Sequence, residues 1–276
     1  MPAFFAKARR VRPASCDALQ VSCLDACRYR KTAAHFCATC SSGHFQLQAP
    51  RRVTGALSSE GRIKRDPDNG ADQAMTSTIP GFFQGTEMPT SGWWEALWPE
   101  PASVLAAVGM KPGTDVVDLC CGDGWFTLPI ARVARHVIAI DIDADLLDVA
   151  RRRLAEGGAG NCEFLAGDAY ELARLVPQTV DFVFIANAFH GVPDRPRLAR
   201  AVRATLGPAG RFAIVNWHQY PREQTTVLGE PRGPKTELRL SPEQTTASVE
   251  ASGFKLAELV DVPPYHYGAV FKLATN

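Results

Sequence analysis

Residues 115–124 read Asp115-Val116-Val117-Asp118-Leu119-Cys120-Cys121-Gly122-Asp123-Gly124, and a helix-like stretch follows at once. A short apolar strand that runs through a glycine-bearing turn into a helix forms a ligand cradle. The glycines let the main chain approach a bound molecule, and the helix start offers unpaired N–H groups to a carboxylate or phosphate. Asp141 stands 23 residues after Asp118, at the end of the next apolar run, where a carboxylate can accept the hydroxyl protons of a ribose. Gly167-Asp168 ends the third run and places a further acid where an adenine amino group would lie. Three carboxylates at three successive strand ends converge on one crevice.

A dinucleotide-binding fold shares the strand, the loop and the ribose acid, so the glycine loop alone is a weak signal. Two details separate the readings. The nicotinamide fingerprint wants a third glycine three positions after the second, and Thr127 stands there. The carboxylate of Asp118 would repel a pyrophosphate, whereas it suits the ammonium of a methionine moiety. The cofactor read from these residues is S-adenosylmethionine (SAM), with a nicotinamide oxidoreductase as the alternative.

Outward from this loop the pattern repeats. Apolar runs at 115–119, 137–140, 162–165, 181–185 and 211–217 are followed by helix-like stretches at 125–134, 144–154, 170–175, 195–206 and 242–251. Short apolar strands alternating with amphipathic helices predict a parallel sheet covered on both faces, a doubly wound α/β fold. Before the first strand, Pro101 suits the first turn of a short helix, which Gly109 and Pro112-Gly113 end. Ser241-Pro242-Glu243-Gln244 has the spacing of a capping box. Runs at 256–261 and 267–273, joined through Pro263-Pro264, are too close for a crossover and must pair antiparallel, so the sheet ends in a hairpin.

Asp118 to Gly124, Ile140-Asp141-Ile142-Asp143, Gly167-Asp168-Ala169 and Leu206-Gly207-Pro208-Ala209-Gly210-Arg211 together resemble the successive motifs of class I SAM-dependent methyltransferases. The similarity covers residues 90–274 and is nearest the small-molecule branch that includes the quinone-pathway enzymes. The resemblance implies a mostly parallel seven-stranded sheet with an antiparallel last strand. It also implies that Asp118 and the loop of Cys120, Cys121, Gly122, Asp123 and Gly124 hold the methionine part, that Asp141 binds the ribose, and that Ile142 packs on adenine. Asp168 and Ala169 would meet the adenine edge, and Asn187 would border the transferable methyl. The family usually has glycine where this chain has Cys120.

Methyl transfer from a sulfonium needs an aligned acceptor and, when the acceptor arrives protonated, a base. His190, in Asn187-Ala188-Phe189-His190 past the fourth strand, is the candidate base; a pocket-lining or merely structural role is the other reading. Trp94, within Trp93-Trp94-x3-Trp98, together with Phe189, His218 and Tyr220 are candidate acceptor contacts, and packing on the sheet is the alternative for the tryptophans. Residues 219–240 form a long connection that contains Arg222, Arg232 and Lys235, which could attract an anionic acceptor or be solvated surface. The function expected is methylation of a small molecule, with a non-catalytic SAM-binding protein as the alternative. The acidic body, and the absence after the fourth strand of an aromatic-and-proline signature such as Asn-Pro-Pro-Tyr, argue against nucleic acid.

The whole chain sets outer bounds. Its 276 residues carry a net charge of +1 and are 46% hydrophobic, enough for one large domain with an extension. Residues 1–74 hold 12 Lys/Arg against 6 Asp/Glu, show no sustained periodicity and are read as a disordered basic extension, with the domain at 75–276. Two other readings of that extension stay open: a zinc knuckle from Cys23, Cys27, Cys37 and Cys40 with His35 and His44 nearby, and a transit peptide. A natural start at Met75 belongs with the disordered reading. No metal site is expected in the body. No apolar run has the ~18 residues of a membrane helix, and thiols without a disulfide framework suit a reducing compartment, so a cytoplasmic location is expected.

Overall fold

The computed structural model describes residues 79–275; the proposed zinc knuckle, transit peptide and Met75 boundary lie outside them. In chain order the elements are α1 (Ser91–Leu97), α2 (Pro101–Ala107), β1 (Asp115–Leu119), α3 (Thr127–Ala131), β2 (His136–Asp141), α4 (Ala144–Glu156), β3 (Cys162–Ala166), α5 (Leu172–Leu175), β4 (Val180–Ala186), α6 (Arg195–Thr205) and β5 (Leu206–Trp217). A two-residue pair, β6 (Thr226–Val227) and β7 (Glu230–Pro231), interrupts the connection to α7 (Pro242–Glu250), and β8 (Phe254–Val262) and β9 (His266–Leu273) close the fold. The seven-stranded sheet has the order β3-β2-β1-β4-β5-β9-β8. Its first five strands are parallel, and β9 pairs antiparallel with both β5 and β8. The doubly wound architecture with a terminal hairpin is as the sequence predicts.

Period-two alternation builds two cores from one set of strands. Val117, Leu119, Ile138, Ile140, Val183, Ile185, Phe212 and Ile214 pack with α6 and α7 on one face. Their neighbours Val116, Val137, Phe182, Phe184, Ala213 and Val215 pack on the other with the tryptophans of α1, Leu105 of α2 and Ile130 of α3. Burial on both faces explains why the strands read as continuous apolar runs. Asp118 is a polar exception within β1, 3% exposed, on the face beneath α3.

The capping box is present: the Ser241 hydroxyl accepts from Gln244 N at 3.2 Å and Gln244 Oε1 accepts from Ser241 N at 2.9 Å. One boundary differs from expectation. The strand predicted to begin at Arg211 begins at Leu206, directly after α6, because Leu206 pairs with Val180 before residues 207–210 bulge out and pairing resumes at Arg211 with Phe182. The chain reverses strand order between β1 and β4, and at such a switch point an open α/β sheet leaves a crevice at its carboxyl ends.

The last helix is docked by Tyr267, whose buried hydroxyl lies 2.6 Å from Thr245 Oγ1 and donates to the Leu240 carbonyl at 3.1 Å. Tyr267→Phe leaves both partners buried and one of them unpaired, so urea denaturation is expected to show a loss of about 1–3 kcal/mol.

Candidate functional site

The crevice at the carboxyl ends of β1 to β5 is lined on one side by Asp118, Cys120, Cys121, Gly122, Asp141 and Asp168. Asp141 organises this half. Its Oδ2 accepts from Gly122 N at 2.8 Å and its Oδ1 from Asp143 N at 2.9 Å, tying the glycine loop to the end of β2. Gly122 has φ +54°, and a β-carbon there would lie 2.8 Å from the sulfur of Met88. Only glycine permits both that backbone and that contact. Asp118 accepts from the Thr127 hydroxyl at 2.6 Å. Asp123 is held by Arg153 of α4 at 2.5 Å and accepts from Trp125 N, and Asp168 accepts from Tyr170 N at 2.9 Å.

Electrostatically this half is acidic and dry. Burial raises the Asp118 carboxyl, the Thr127 hydroxyl opposes the shift and Asp141 adds to it, which leaves the carboxyl at about 7. Burial also raises Asp141, against the N–H groups of Asp143 and Gly122, and pushes the Cys120 and Cys121 thiols well up, so they stay protonated. Among the described residues Asp118, Asp141 and Asp168 form no ion pair.

Residues 79–90 lie as a strap along the crevice. A β-carbon at Gly81 would sit 3.1 Å from Ile142 Cδ1, and Met88 rests on the glycine loop. Phe83 is buried in the α6 face of the core and meets Tyr170 edge-on at 5.8 Å. The strap is pinned by His190, whose Nε2 donates to the Gly85 carbonyl at 2.9 Å while Nδ1 faces the Asn216 side-chain amide at 3.2 Å.

The rest of the lining is largely aromatic. Trp93, Trp94, Trp125, Phe126 and Trp217 contribute to it, with Asn187 and with Arg222, Arg232, Gly233 and Pro234 of the connection after β5. Asn187 has φ +57°. Its Oδ1 accepts from His266 Nε2 at 3.0 Å, and its amide NH2 has no acceptor among the described residues. His266 is itself buried between Trp98 and Trp217, at 4.5 and 4.1 Å, and burial holds its imidazole well below the usual range.

The structure therefore brings Asp118, Cys120, Cys121, Gly122, Asp123, Asp141, Ile142, Asp168, Ala169, Asn187 and Trp94 to one crevice, and it leaves five predicted residues outside. Gly124 serves packing, since a β-carbon there would lie 2.8 Å from Ala150 of α4. Phe189 is wholly buried against Phe212. His190 is 1% exposed, with both ring nitrogens committed and its pKa lowered by burial, so it positions the strap. His218 sits 3.3 Å from Asp261 and stacks on Tyr220, which is 46% exposed; the residue after Trp217 points to the opposite side of the strand end. Trp217, Phe126 and the strap were not among the predicted acceptor contacts, whereas Arg222 and Arg232 were expected either to attract an anionic acceptor or to be solvated surface; both line the crevice.

Residues 116–210 match a family model described as a methyltransferase domain. Over these residues the chain is similar to methyltransferases. The demethylmenaquinone methyltransferase of Listeria monocytogenes serotype 4a is 29% identical over 113 residues, 40% of this chain and 47% of that protein. The Bacillus subtilis demethylmenaquinone methyltransferase is 27% identical over 118 residues, 42% and 50% respectively. The chain thus spans about half the length of these curated relatives. A SAM-dependent methyltransferase from Aquifex aeolicus superposes with a TM-score of 0.56 at 23% identity, covering 66% of this chain and 93% of that one. The glycopeptide N-methyltransferase MtfA bound to SAM gives 0.51 at 18%, covering 62% and 92%; both likenesses concern the fold.

The donor set of the methyltransferase domain fits SAM. Unpaired buried carboxylates suit an ammonium and ribose hydroxyls, and no basic side chain stands among them to favour a pyrophosphate. The departure at Cys120 is structural as well as chemical: it has φ +59°, a conformation that costs a non-glycine residue about 1–2 kcal/mol. In urea denaturation Cys120→Gly is expected to be neutral or stabilising by up to about 1 kcal/mol, and Cys120→Val to destabilise by about 1–3.

The raised Asp118 carboxyl carries a sign. A carboxyl more easily protonated in the folded than in the unfolded chain stabilises the fold below about pH 4, and that contribution is lost as pH rises through about 7. A bound ammonium needs the ionised form. Calorimetric SAM affinity is therefore expected to rise from about pH 6 to 7.5 with proton release into the buffer, and Asp118→Asn is expected to flatten that rise.

Proposed function

We propose that this chain transfers the methyl group of SAM to a small organic acceptor. The reading is carried by one observation: a single crevice is lined both by the carboxylates of Asp118, Asp141 and Asp168 and by Trp93, Trp94 and Trp217, with Asn187 in the same lining. Bound SAM would supply an activated methyl on a sulfonium. The task left to the chain is alignment and exclusion of water, which in favourable cases is worth about 7–11 kcal/mol. Asp118 would hold the ammonium, Asp141 the ribose hydroxyls and Asp168 with Ala169 the adenine edge. Ile142 would pack on the base, and the strap would cover the nucleoside.

The acceptor would lie against Trp93, Trp94 and Trp217, its reacting atom near Asn187. The relatives are named for demethylmenaquinone, which favours a ring-bearing acceptor over nucleic acid. No helix among the described residues is long and apolar enough to cross a membrane. Cys120, Cys121 and Cys162 are free thiols, which supports action in the cytoplasm.

The test pairs SAM titration of the full chain with a mass-spectrometric screen of quinols, phenols, amines and thiols for methylated product. Micromolar SAM binding that Asp141→Ala abolishes, with product from one of these classes, is the expected result. Binding without any product would instead favour a SAM-binding protein that performs no transfer. For His190→Gln the expectation is weaker SAM binding, by about tenfold, as the strap loses its anchor, with turnover at saturating SAM largely kept. Collapsed turnover with unchanged SAM affinity would restore the role of base to His190.

A further inference from the structure

The strand order sorts the charges of the crevice. Asp118, Asp141 and Asp168 end β1, β2 and β3, on one side of the switch point, whereas the connection that follows β5, on the other side, contributes Arg222 and Arg232. Lys235 of the same connection is exposed and does not line the crevice. Glu223, next to Arg222 in sequence, is exposed and outside the lining, and Glu87, exposed on the strap, lines the crevice.

These arginines stand on a fixed wall. Arg222 Nε donates to the Gly233 carbonyl at 3.0 Å, and its terminal NH2 groups have no hydrogen-bond partner among the described residues. A β-carbon at Gly233 would lie 2.8 Å from the Trp217 indole, so the backbone that holds Arg222 is pressed on an acceptor-side ring. Behind that ring Arg239, 1% exposed, sits 5.0 Å from the Trp217 centroid. It donates to the carbonyls of Pro234, Tyr220 and Arg232 and to the Thr225 hydroxyl, and to no carboxylate. Burial and the neighbouring Arg222 push its pKa down to about 10, which still leaves a cation at neutral pH. A buried cation that bonds no carboxylate, opposed only by the more distant charge of exposed Glu223, and a half-buried arginine beside it make this end of the crevice electropositive, and a planar guanidinium fork matches a carboxylate.

We propose that the acceptor is an anionic aromatic molecule, its ring seated against Trp93 and Trp217 and its carboxylate held at Arg222 and Arg232. The proposal rests on the methyltransferase reading above and narrows it, because a neutral quinol would leave the arginine wall unused. It assigns specificity to the connection after β5.

The test uses the full chain saturated with S-adenosylhomocysteine and compares, by calorimetry, 1-hydroxy-2-naphthoate with its neutral amide. The acid is expected to bind at least about tenfold more tightly, by a margin that shrinks with added salt. In the double variant R222Q/R232Q the two probes are expected to bind within about twofold of each other, and R222K/R232K to keep part of the preference. Titration of each variant with S-adenosylhomocysteine reports whether the cofactor half is intact. Equal binding of acid and amide by the loaded parent chain, or a preference that survives R222Q/R232Q, overturns this proposal and leaves the cofactor reading standing. Failure of the parent to bind S-adenosylhomocysteine overturns both.

Discussion

The carboxylate of Asp141 is the constraint from which the site is built. Its two oxygens accept N–H groups from Gly122 and Asp143, so the loop after β1 and the turn into α4 share one buried anion. A carboxylate in that position is costly unless its lone pairs are satisfied, and two backbone donors satisfy it only while the turn after β1 keeps its left-handed glycine. The register of β1 against β2, from Asp115 with His136 to Leu119 with Ile140, brings the two ends level. The loop is thus shaped by hydrogen bonds made before any ligand arrives, and Arg153 clamping Asp123 from α4 braces its far side. Asp118 benefits from this rigidity, since it can remain buried with a single hydroxyl partner while α3 keeps water away.

The fold was legible because β1, β2, β4 and β5 are apolar on both faces and three of the helices that follow strands start with a side-chain cap. Asp143 caps α4, Asp194 caps α6 and Ser241 caps α7, and the twin prolines between the last two runs left room only for a hairpin. The cofactor half was legible for a related reason. Its acids follow strand ends at short, local distances, so their convergence is a property of parallel topology rather than of side-chain packing.

The acceptor half was not legible in the same way, because its members come from separate parts of the chain. Trp217 and His266 lie 4.1 Å apart through antiparallel pairing of β5 with β9. Trp93 reaches them only after α1 folds back over the sheet, and no spacing in the sequence encodes that. His190 shows a different limit: its position past β4 suits a base, while the short turn of Phe189–Gly191 sets its buried ring against the Gly85 carbonyl, a contact that the sequence does not encode. Histidine position names a neighbourhood, while the hydrogen bonds of its two nitrogens decide the role.

Arg239 anchors the connection after β5 almost entirely to itself: its partners Tyr220, Thr225, Arg232 and Pro234 all belong to that same segment. The segment meets the sheet at the Trp217 indole, through the hydroxyls of Tyr265 and Tyr267 on the Thr226 and Leu240 carbonyls, and through buried Val227 and Leu240. A loop closed on its own internal rivet keeps its shape by itself, so its exposed positions can vary without disturbing strand pairing or the glycine turn. On the proposed reading, acceptor preference would be set by one self-braced surface segment, physically separate from the strand ends that carry the carboxylates.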